Sequence, residues 1–228
     1  MKTEFAACGI EISDEQCEKL EKLASYMVEY NKNVNLTRIT ERSEIIEKHY
    51  IDSILPLTMI DVPHGTICAD VGAGAGFPSL PMKIYRPDLD FTLIDSGNKR
   101  IAYLDSACSM LGISCKTVHA RGEELGRDKN FREKYGFVCA RAVAALNVLC
   151  EYCMPFVKKG GIFAALKGEK DETEDAKNAI KTLGGEIEDV KKYALPGGDK
   201  RNLVIIRKTS ETPAAYPRVS AKIAKKPL

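Results

Sequence analysis

Apolar residues recur at helical spacing through residues 13–31, where Leu20, Leu23, Ala24, Met27 and Val28 fall on one face. Ser13 followed three positions later by Gln16 predicts a capping box at the start of that helix. A run of turn formers, Asn31-Lys-Asn-Val-Asn-Leu-Thr37, separates it from a second helix expected over 41–57. There Ile45, Ile46, His49 and Ile54 are spaced to share a face, and Pro56 marks the last turn.

From residue 66 onward the pattern changes to short apolar runs alternating with helical periods. Strands are predicted at 66–71, 91–95, 115–119, 137–140 and 162–166, with helices at 78–85, 100–111 and 144–157 between them. A charged helix over 169–183 then leads to two last strands, 186–193 and 203–207, on either side of Pro196-Gly-Gly198. Their short connection requires them to be antiparallel. The expected fold is therefore α/β: a mostly parallel seven-stranded sheet with the last strand antiparallel, helices on both faces, and N-terminal helices added.

Composition narrows the class. With 228 residues, 44% hydrophobic and 29% charged, the chain suits a soluble globular domain with appendages. Its 34 basic and 32 acidic residues leave a net charge of +2, which excludes a polycation but leaves room for a local basic patch. No apolar run reaches membrane-spanning length, and the first twelve residues lack a signal peptide's apolar core, so a cytosolic protein is expected. The eight cysteines read as small hydrophobes, and Cys150 and Cys153 as two packed thiols rather than half of a metal site. Residues after Ile206 carry six cations (Arg207, Lys208, Arg218, Lys222, Lys225, Lys226) against Glu211, and Pro213, Pro217 and Pro227 disfavour regular structure. That tail reads either as a solvated segment or as an electrostatic arm for phosphates.

The candidate chemistry begins at Cys68-Ala-Asp-Val-Gly-Ala-Gly-Ala-Gly-Phe-Pro78. A strand carrying Asp70 runs into Gly72, Gly74 and Gly76, and a helix follows. Such a turn lets backbone approach a ligand at the carboxyl ends of the strands. A dinucleotide site would want its third glycine one residue later, where Phe77 stands. Asp70 also suits a cationic ligand better than a pyrophosphate. S-adenosylmethionine, with a sulfonium and an ammonium, fits both points. Asp95 ends the next strand, where a carboxylate can accept from both hydroxyls of a ribose.

These residues, together with Asn35-Leu-Thr37, His49-Tyr-Ile-Asp-Ser53, Asp95-Ser96, Lys99-Arg100, Ala140-Arg-Ala142, Ala165-Leu-Lys-Gly168 and Arg201-Asn-Leu-Val204, resemble the ribosomal RNA small-subunit methyltransferase G family, also called glucose-inhibited division protein B. The resemblance runs over nearly the whole chain. It implies a class I, Rossmann-like methyltransferase domain at 61–208, a helical extension packed on it at 1–60, and a basic tail at 209–228. It further implies S-adenosylmethionine as cofactor and N7 of one guanine in 16S ribosomal RNA, in the small ribosomal subunit, as acceptor. The resemblance implies cofactor contacts at Gly72, Phe77, Asp95, Gly122, Glu123 and Arg141; the candidate set also takes in Asp70, Gly74, Gly76 and Ser96 at and beside the turn. Ser79 stands where the family often has glycine.

N7 of guanine carries a lone pair and no proton, so the reaction needs positioning rather than a general base. Arg141, at the end of the fourth strand, is the candidate for positioning cofactor or base. Lys99, Arg100, Lys167 and Arg201 sit near strand ends and are candidates for RNA phosphates. His49 reads as a packed residue or as a contact to RNA or cofactor. No metal and no membrane are expected, and a monomer is. The competing readings are a dinucleotide-dependent oxidoreductase, disfavoured by the glycine spacing; a non-catalytic RNA-binding module; and a small-molecule methyltransferase.

Overall fold

Side chains alternate across the central strands and so divide the core in two. Cys68, Phe91, Leu93, Phe137, Cys139, Ile162, Ala164, Leu203 and Ile205 pack on one face of the sheet. Their neighbours Ala69, Val71, Ile94, Val138, Ala140, Phe163, Ala165, Val204 and Ile206 pack on the other. The computed structural model describes residues 1–228. The strands are β1 (Ile67–Val71), β2 (Asp90–Asp95), β3 (Lys116–His119), β4 (Tyr135–Arg141), β5 (Val157–Lys167), β6 (Gly185–Ala194) and β7 (Lys200–Lys208). They form one sheet in the order β3-β2-β1-β4-β5-β7-β6. β7 runs antiparallel to both β5 and β6, and the remaining pairs are parallel.

The first face is covered by α1 (Lys2–Ala7), α2 (Asp14–Asn31), the segment α3 (Arg42–Glu44) to α4 (Asp52–Thr58), α5 (Ser79–Tyr85) and α6 (Asn98–Leu111). The capping box forms as expected: Gln16 N donates to Ser13 Oγ at 3.1 Å and Ser13 N donates to Gln16 Oε1 at 2.8 Å. The Gln16 amide also donates to the carbonyls of Ile84 and Tyr85, tying α2 to the end of α5. Tyr50 Oη donates to Leu20 O at 2.7 Å, so the N-terminal helices are joined to each other within the same core. The second face carries α7 (Gly122–Leu125), α8 (Leu146–Cys153) and α9 (Thr173–Thr182).

Besides the short helices α1 and α7, which the sequence reading did not include, three elements differ from it. The helix expected over 41–57 contains a π-helical stretch, Ile45–Ile51, between α3 and α4. An apolar face spaced by three and four residues serves either helix, so the pattern does not distinguish them. The helix expected to reach residue 157 ends at Cys153, and a 3₁₀ turn Met154–Phe156 follows. Pro155 has no N–H for a further helical bond, so the chain turns into β5 earlier than expected.

The tail is the third difference. Residues 209–228 fold back over the second face and end in α10 (Ser220–Lys225), with Ile223 fully buried. Arginine supplies the donors that a proline-containing segment needs for its carbonyls. Arg132 donates to the carbonyls of Thr212 and Tyr216, and Arg127 to those of Ala215 and Pro217. Of the tail's cations, Arg218 is bound to Glu151, Arg207 to Glu188, and Lys208 is itself buried. The reading of an unattached segment is thus corrected where the tail is anchored, at Thr212, Tyr216 to Arg218 and Ile223, while Lys222, Lys225 and Lys226 remain exposed.

Candidate active site

The glycine turn after β1 is shaped by three positive φ angles: +82° at Gly72, +57° at Gly74 and +86° at Gly76. The N–H groups of Gly72 and Ala73 donate to Ile94 O at 2.8 and 3.0 Å, which holds the turn against the end of β2. A Cβ at Gly72 would stand 2.7 Å from Val143 Cγ2, and one at Gly76 would stand 2.3 Å from Leu80 Cδ1. Gly76 therefore packs the turn onto α5, while Gly72 and Gly74 face a cavity of about 460 Å³. That volume is within the range of small-molecule sites, roughly 300–1,000 Å³.

Asp95 lines this cavity from the end of β2. Its Oδ2 accepts from Gly74 N at 2.9 Å and its Oδ1 from Gly97 N at 2.8 Å. An ionised carboxylate has about four acceptor positions, so capacity for a ligand's hydroxyls is left over. Ser96, Arg100, Gly122, Glu123, Phe77 and Arg141 also line the cavity. Asp70 does not. It lies fully buried behind the turn, where Oδ2 accepts from Ser79 N at 3.3 Å. Asp70 Oδ1 and Ser79 Oγ have no hydrogen-bond partner. Burial pushes the Asp70 carboxyl up to about 6. Its direct contact with a ligand, expected from the sequence, is not what the geometry offers.

A second cavity of about 360 Å³ adjoins the first and shares His49, Arg141 and Ala142 with it. Lys48, Asp52, Lys167 and Arg201 line it. Arg141 comes from the last position of β4, and Ala142 turns the chain away with φ +55°, an unfavourable angle for alanine of the kind that collects at functional sites. Arg141 Nη1 donates to Lys48 O at 2.9 Å and to Asp52 Oδ2 at 3.1 Å. The other Asp52 oxygen accepts from Arg201 Nε at 3.1 Å and from Tyr193 Oη at 3.4 Å. Asp52 is thus a hub joining β4, β6 and β7 to the N-terminal helices. The π-helical stretch supplies Lys48 and His49 to the same network, in keeping with the placement of such turns at functional sites.

His49 packs its ring on Phe77, with centroids 4.1 Å apart and planes at 10°. A guanidinium can only donate, so the 3.2 Å contact from Arg141 Nη2 makes His49 Nδ1 an acceptor. The proton then sits on Nε2, which faces Thr37 Oγ1 at 3.1 Å. Burial, with the Arg141 charge behind it, brings the His49 pKa down to about 3, so the ring is neutral.

The four cations expected to meet phosphate are not equivalent. Arg100 lines the first cavity, 3.6 Å from Asp95 Oδ1. Lys99 is exposed on α6 and lines neither cavity. Lys167 Nζ donates to Ala144 O at 2.6 Å and stands 3.1 Å from Glu172, while Arg201 is held by Asp52 and Asp199. Asp52, Thr37, Tyr152 and Ser220 were given no role from sequence, and all four line a cavity. Asp52 and Thr37 do lie inside the motifs that carry the family resemblance. Cys150 and Cys153 are buried free thiols, and no three His, Cys, Asp or Glu side chains group as metal ligands.

The sheet order with its single antiparallel β7, and a glycine turn beside the β2 carboxylate, define the class I S-adenosylmethionine-dependent methyltransferase fold. Solved structures agree at the level of fold. A predicted O-methyltransferase from Agrobacterium tumefaciens superposes with a TM-score of 0.56 at 18% identity, over 70% of this chain and 81% of that one. Precorrin-6y C5,15-methyltransferase from Geobacter metallireducens gives 0.53 at 11% identity, over 69% and 87%. The family model for rRNA small subunit methyltransferase G matches residues 16–204, and the chain belongs to that family. Relatives named ribosomal RNA small subunit methyltransferase G are 47% identical in Lactobacillus johnsonii, over 99% of this chain and 97% of the relative, and 46% identical in Acetivibrio thermocellus, over 96% and 92%. No helix is long and apolar enough to cross a membrane.

Proposed function

We propose that this protein transfers a methyl group from S-adenosylmethionine to N7 of a guanine in 16S ribosomal RNA, acting as a monomer in the cytoplasm. The observation that carries this reading is the meeting of two cavities at Arg141 and His49. One has the walls a nucleoside needs, and the other has room and donors for a base.

In the first cavity Asp95 is suited to the ribose hydroxyls, and the backbone of Gly72 and Gly74 to close approach by the amino-acid part. Phe77, Ser96, Gly122 and Glu123 complete the walls. Asp70 and Gly76 support the turn from behind. When bound, S-adenosylmethionine supplies an electrophilic methyl group on a sulfonium. The protein's share is alignment, which can contribute several kcal/mol.

The acceptor side suits N7. That atom has no proton to lose, and the groups that could act as a base are engaged: the His49 Nδ1 lone pair is taken by Arg141, and the Asp52 oxygens by Arg141 and Arg201. The guanine ring gains positive charge as N7 is methylated, which a bare guanidinium beside it would oppose. Asp52 at 3.1 Å offsets the Arg141 charge, leaving donors that can orient O6. Lys99, Arg100, Lys167 and Arg201 then serve the RNA backbone, with Lys167 and Arg201 aimed by their carboxylate partners.

Transfer of labelled methyl from S-adenosylmethionine to small-subunit particles, naked 16S RNA and large-subunit RNA tests the proposal. Label confined to small-subunit RNA is expected. Absence of label from all three, with cofactor binding verified by thermal shift, would overturn the RNA part and leave the cofactor part standing.

A further inference from the structure

The C-terminal strap has more anchoring than a tail needs. Lys208 Nζ, almost fully buried, donates to Met154 O at 2.8 Å and to Thr212 Oγ1. Thr212 N donates to Glu133 Oε1 at 2.7 Å, and Thr212 Oγ1 to Leu183 O at 2.9 Å. Beyond the two arginines that bind its carbonyls, Arg218 closes on Glu151, a carboxylate with no exposure at all. Glu151 takes Arg218 N at 2.7 Å, Nε at 2.9 Å and Nη2 at 2.6 Å. A buried carboxylate with such partners is strongly directional, since losing them leaves a charge without solvent.

Two residues after this lock stands Ser220, whose Oγ is 3.2 Å from Tyr152 Oη. Tyr152 is the neighbour of Glu151 on α8. Both hydroxyl-bearing residues line the first cavity. Tyr152 adjoins α7, the segment that follows β3: a Cβ on Gly122 would be 3.9 Å from Tyr152 Cβ and 3.1 Å from Val71 Cγ1. Asp95 marks the ribose position at the end of β2, and β3 is the next strand outward. The part of a nucleoside that lies beyond its ribose in that direction is the base.

We propose that the C-terminal strap is a component of the cofactor site, and that the Tyr152–Ser220 hydroxyl pair it completes contacts the purine of S-adenosylmethionine. This rests on the reading of the first cavity given above. A hydroxyl can both donate and accept, so the pair can serve a purine ring nitrogen, the 6-amino group, or both. The Arg218–Glu151 lock sets the strap so that Ser220 reaches the cavity wall.

The test uses the full chain and titrates S-adenosylhomocysteine and its inosine counterpart, in which oxygen replaces the 6-amino group, into wild type and into Tyr152→Phe, Ser220→Ala and the double variant. A chain ending at residue 218 supplies a deletion of α10 with Ser220 that keeps the Arg218–Glu151 lock. Each single change is expected to weaken S-adenosylhomocysteine about three- to tenfold, as for loss of one hydrogen bond. The double variant is expected to lose most of the wild type's preference for adenine over hypoxanthine. Unchanged affinity and unchanged base preference in the double variant overturn the proposal, even if the deletion binds poorly, because the strap then acts only on stability. Wild-type protein that binds no S-adenosylhomocysteine overturns the parent reading and this one with it, and that result is read before any variant is compared.

Discussion

Arg141 Nη1 donates to Asp52 Oδ2 at 3.1 Å, joining the end of a central strand to a helix 89 residues earlier in the chain. The same carboxylate takes Arg201 on its other oxygen. Asp52→Asn keeps the shape and removes the charge that both guanidiniums share. Breaking a buried ion pair on one side costs about 3–5 kcal/mol. Asp52→Asn retains part of the hydrogen bonding, so a loss of roughly 2 kcal/mol is expected in a urea melt. Methyl transfer is expected to fall by about 100-fold or more, because alignment at Arg141 is lost. Unchanged transfer would remove Asp52 from the site.

Arg141→Ala and Asp95→Ala are expected to lose most of their activity while remaining folded, for different reasons. Asp95→Ala releases Gly74 N and Gly97 N and takes away the ribose acceptor, so it should appear first as weaker cofactor binding. Arg141→Ala should appear in kcat with cofactor affinity closer to wild type. Calorimetric titration beside steady-state kinetics separates the two.

Asp70 and His49 give opposite pH signatures. Burial raises the Asp70 pKa in the fold to about 6, so its contribution is present below its unfolded value near 4 and is lost as pH rises through 6. Asp70→Asn should therefore raise stability at pH 8 by up to about 2–3 kcal/mol, with the difference shrinking toward pH 4. Thermal melts of both proteins at pH 4 and pH 8 measure this directly.

The His49 pKa is depressed to about 3, first by burial and then by Arg141. Its contribution is complete above the unfolded value near 6.5 and is lost as pH falls from there toward 3. The upper limit is roughly 5 kcal/mol for a shift of that size. His49→Gln should flatten the acid limb of the wild-type stability curve below pH 6. The rate of methyl transfer should show no histidine ionisation between pH 6 and 7.5.

Lys99 is exposed on α6, the residue before Arg100, which reaches the cavity rim. Lys99→Ala is expected to weaken RNA binding and to reduce the slope of log affinity against log salt by about 0.7–0.9, the value for one phosphate contact. Cofactor affinity should not change. Filter binding at three or four salt concentrations checks both.

The sheet was legible because short apolar runs alternating with helical periods are a local signal, and the glycine turn because positive φ angles select glycine locally. Residues 45–51 were legible as a helix but not as a π-helix, because Ile45, Ile46 and His49 satisfy either spacing. The anchoring of the strap was not legible because its prolines and lysines describe a solvated segment, which Lys222, Lys225 and Lys226 remain. Its structure depends on Arg127, Arg132 and Glu151, which lie 67 to 90 residues away along the chain. Asp52 stood inside a quoted motif but received no role for the same reason: its partners Arg141 and Arg201 come from other strands, and nothing near residue 52 announces them. Asp70 was placed correctly next to the turn, but a sequence does not say on which side of the turn a carboxylate lies.

The most direct measurement is chemical mapping of the methylated atom. N7-methylguanosine is opened by borohydride and cleaved by aniline, so small-subunit RNA treated with protein and S-adenosylmethionine can be read by primer extension. One strong cleavage at a single guanine, absent without S-adenosylmethionine and absent with Arg141→Ala, is the expected result. Incorporated methyl label without any such cleavage would put the methyl on another atom and contradict the acceptor chemistry assigned to Arg141, Asp52 and His49.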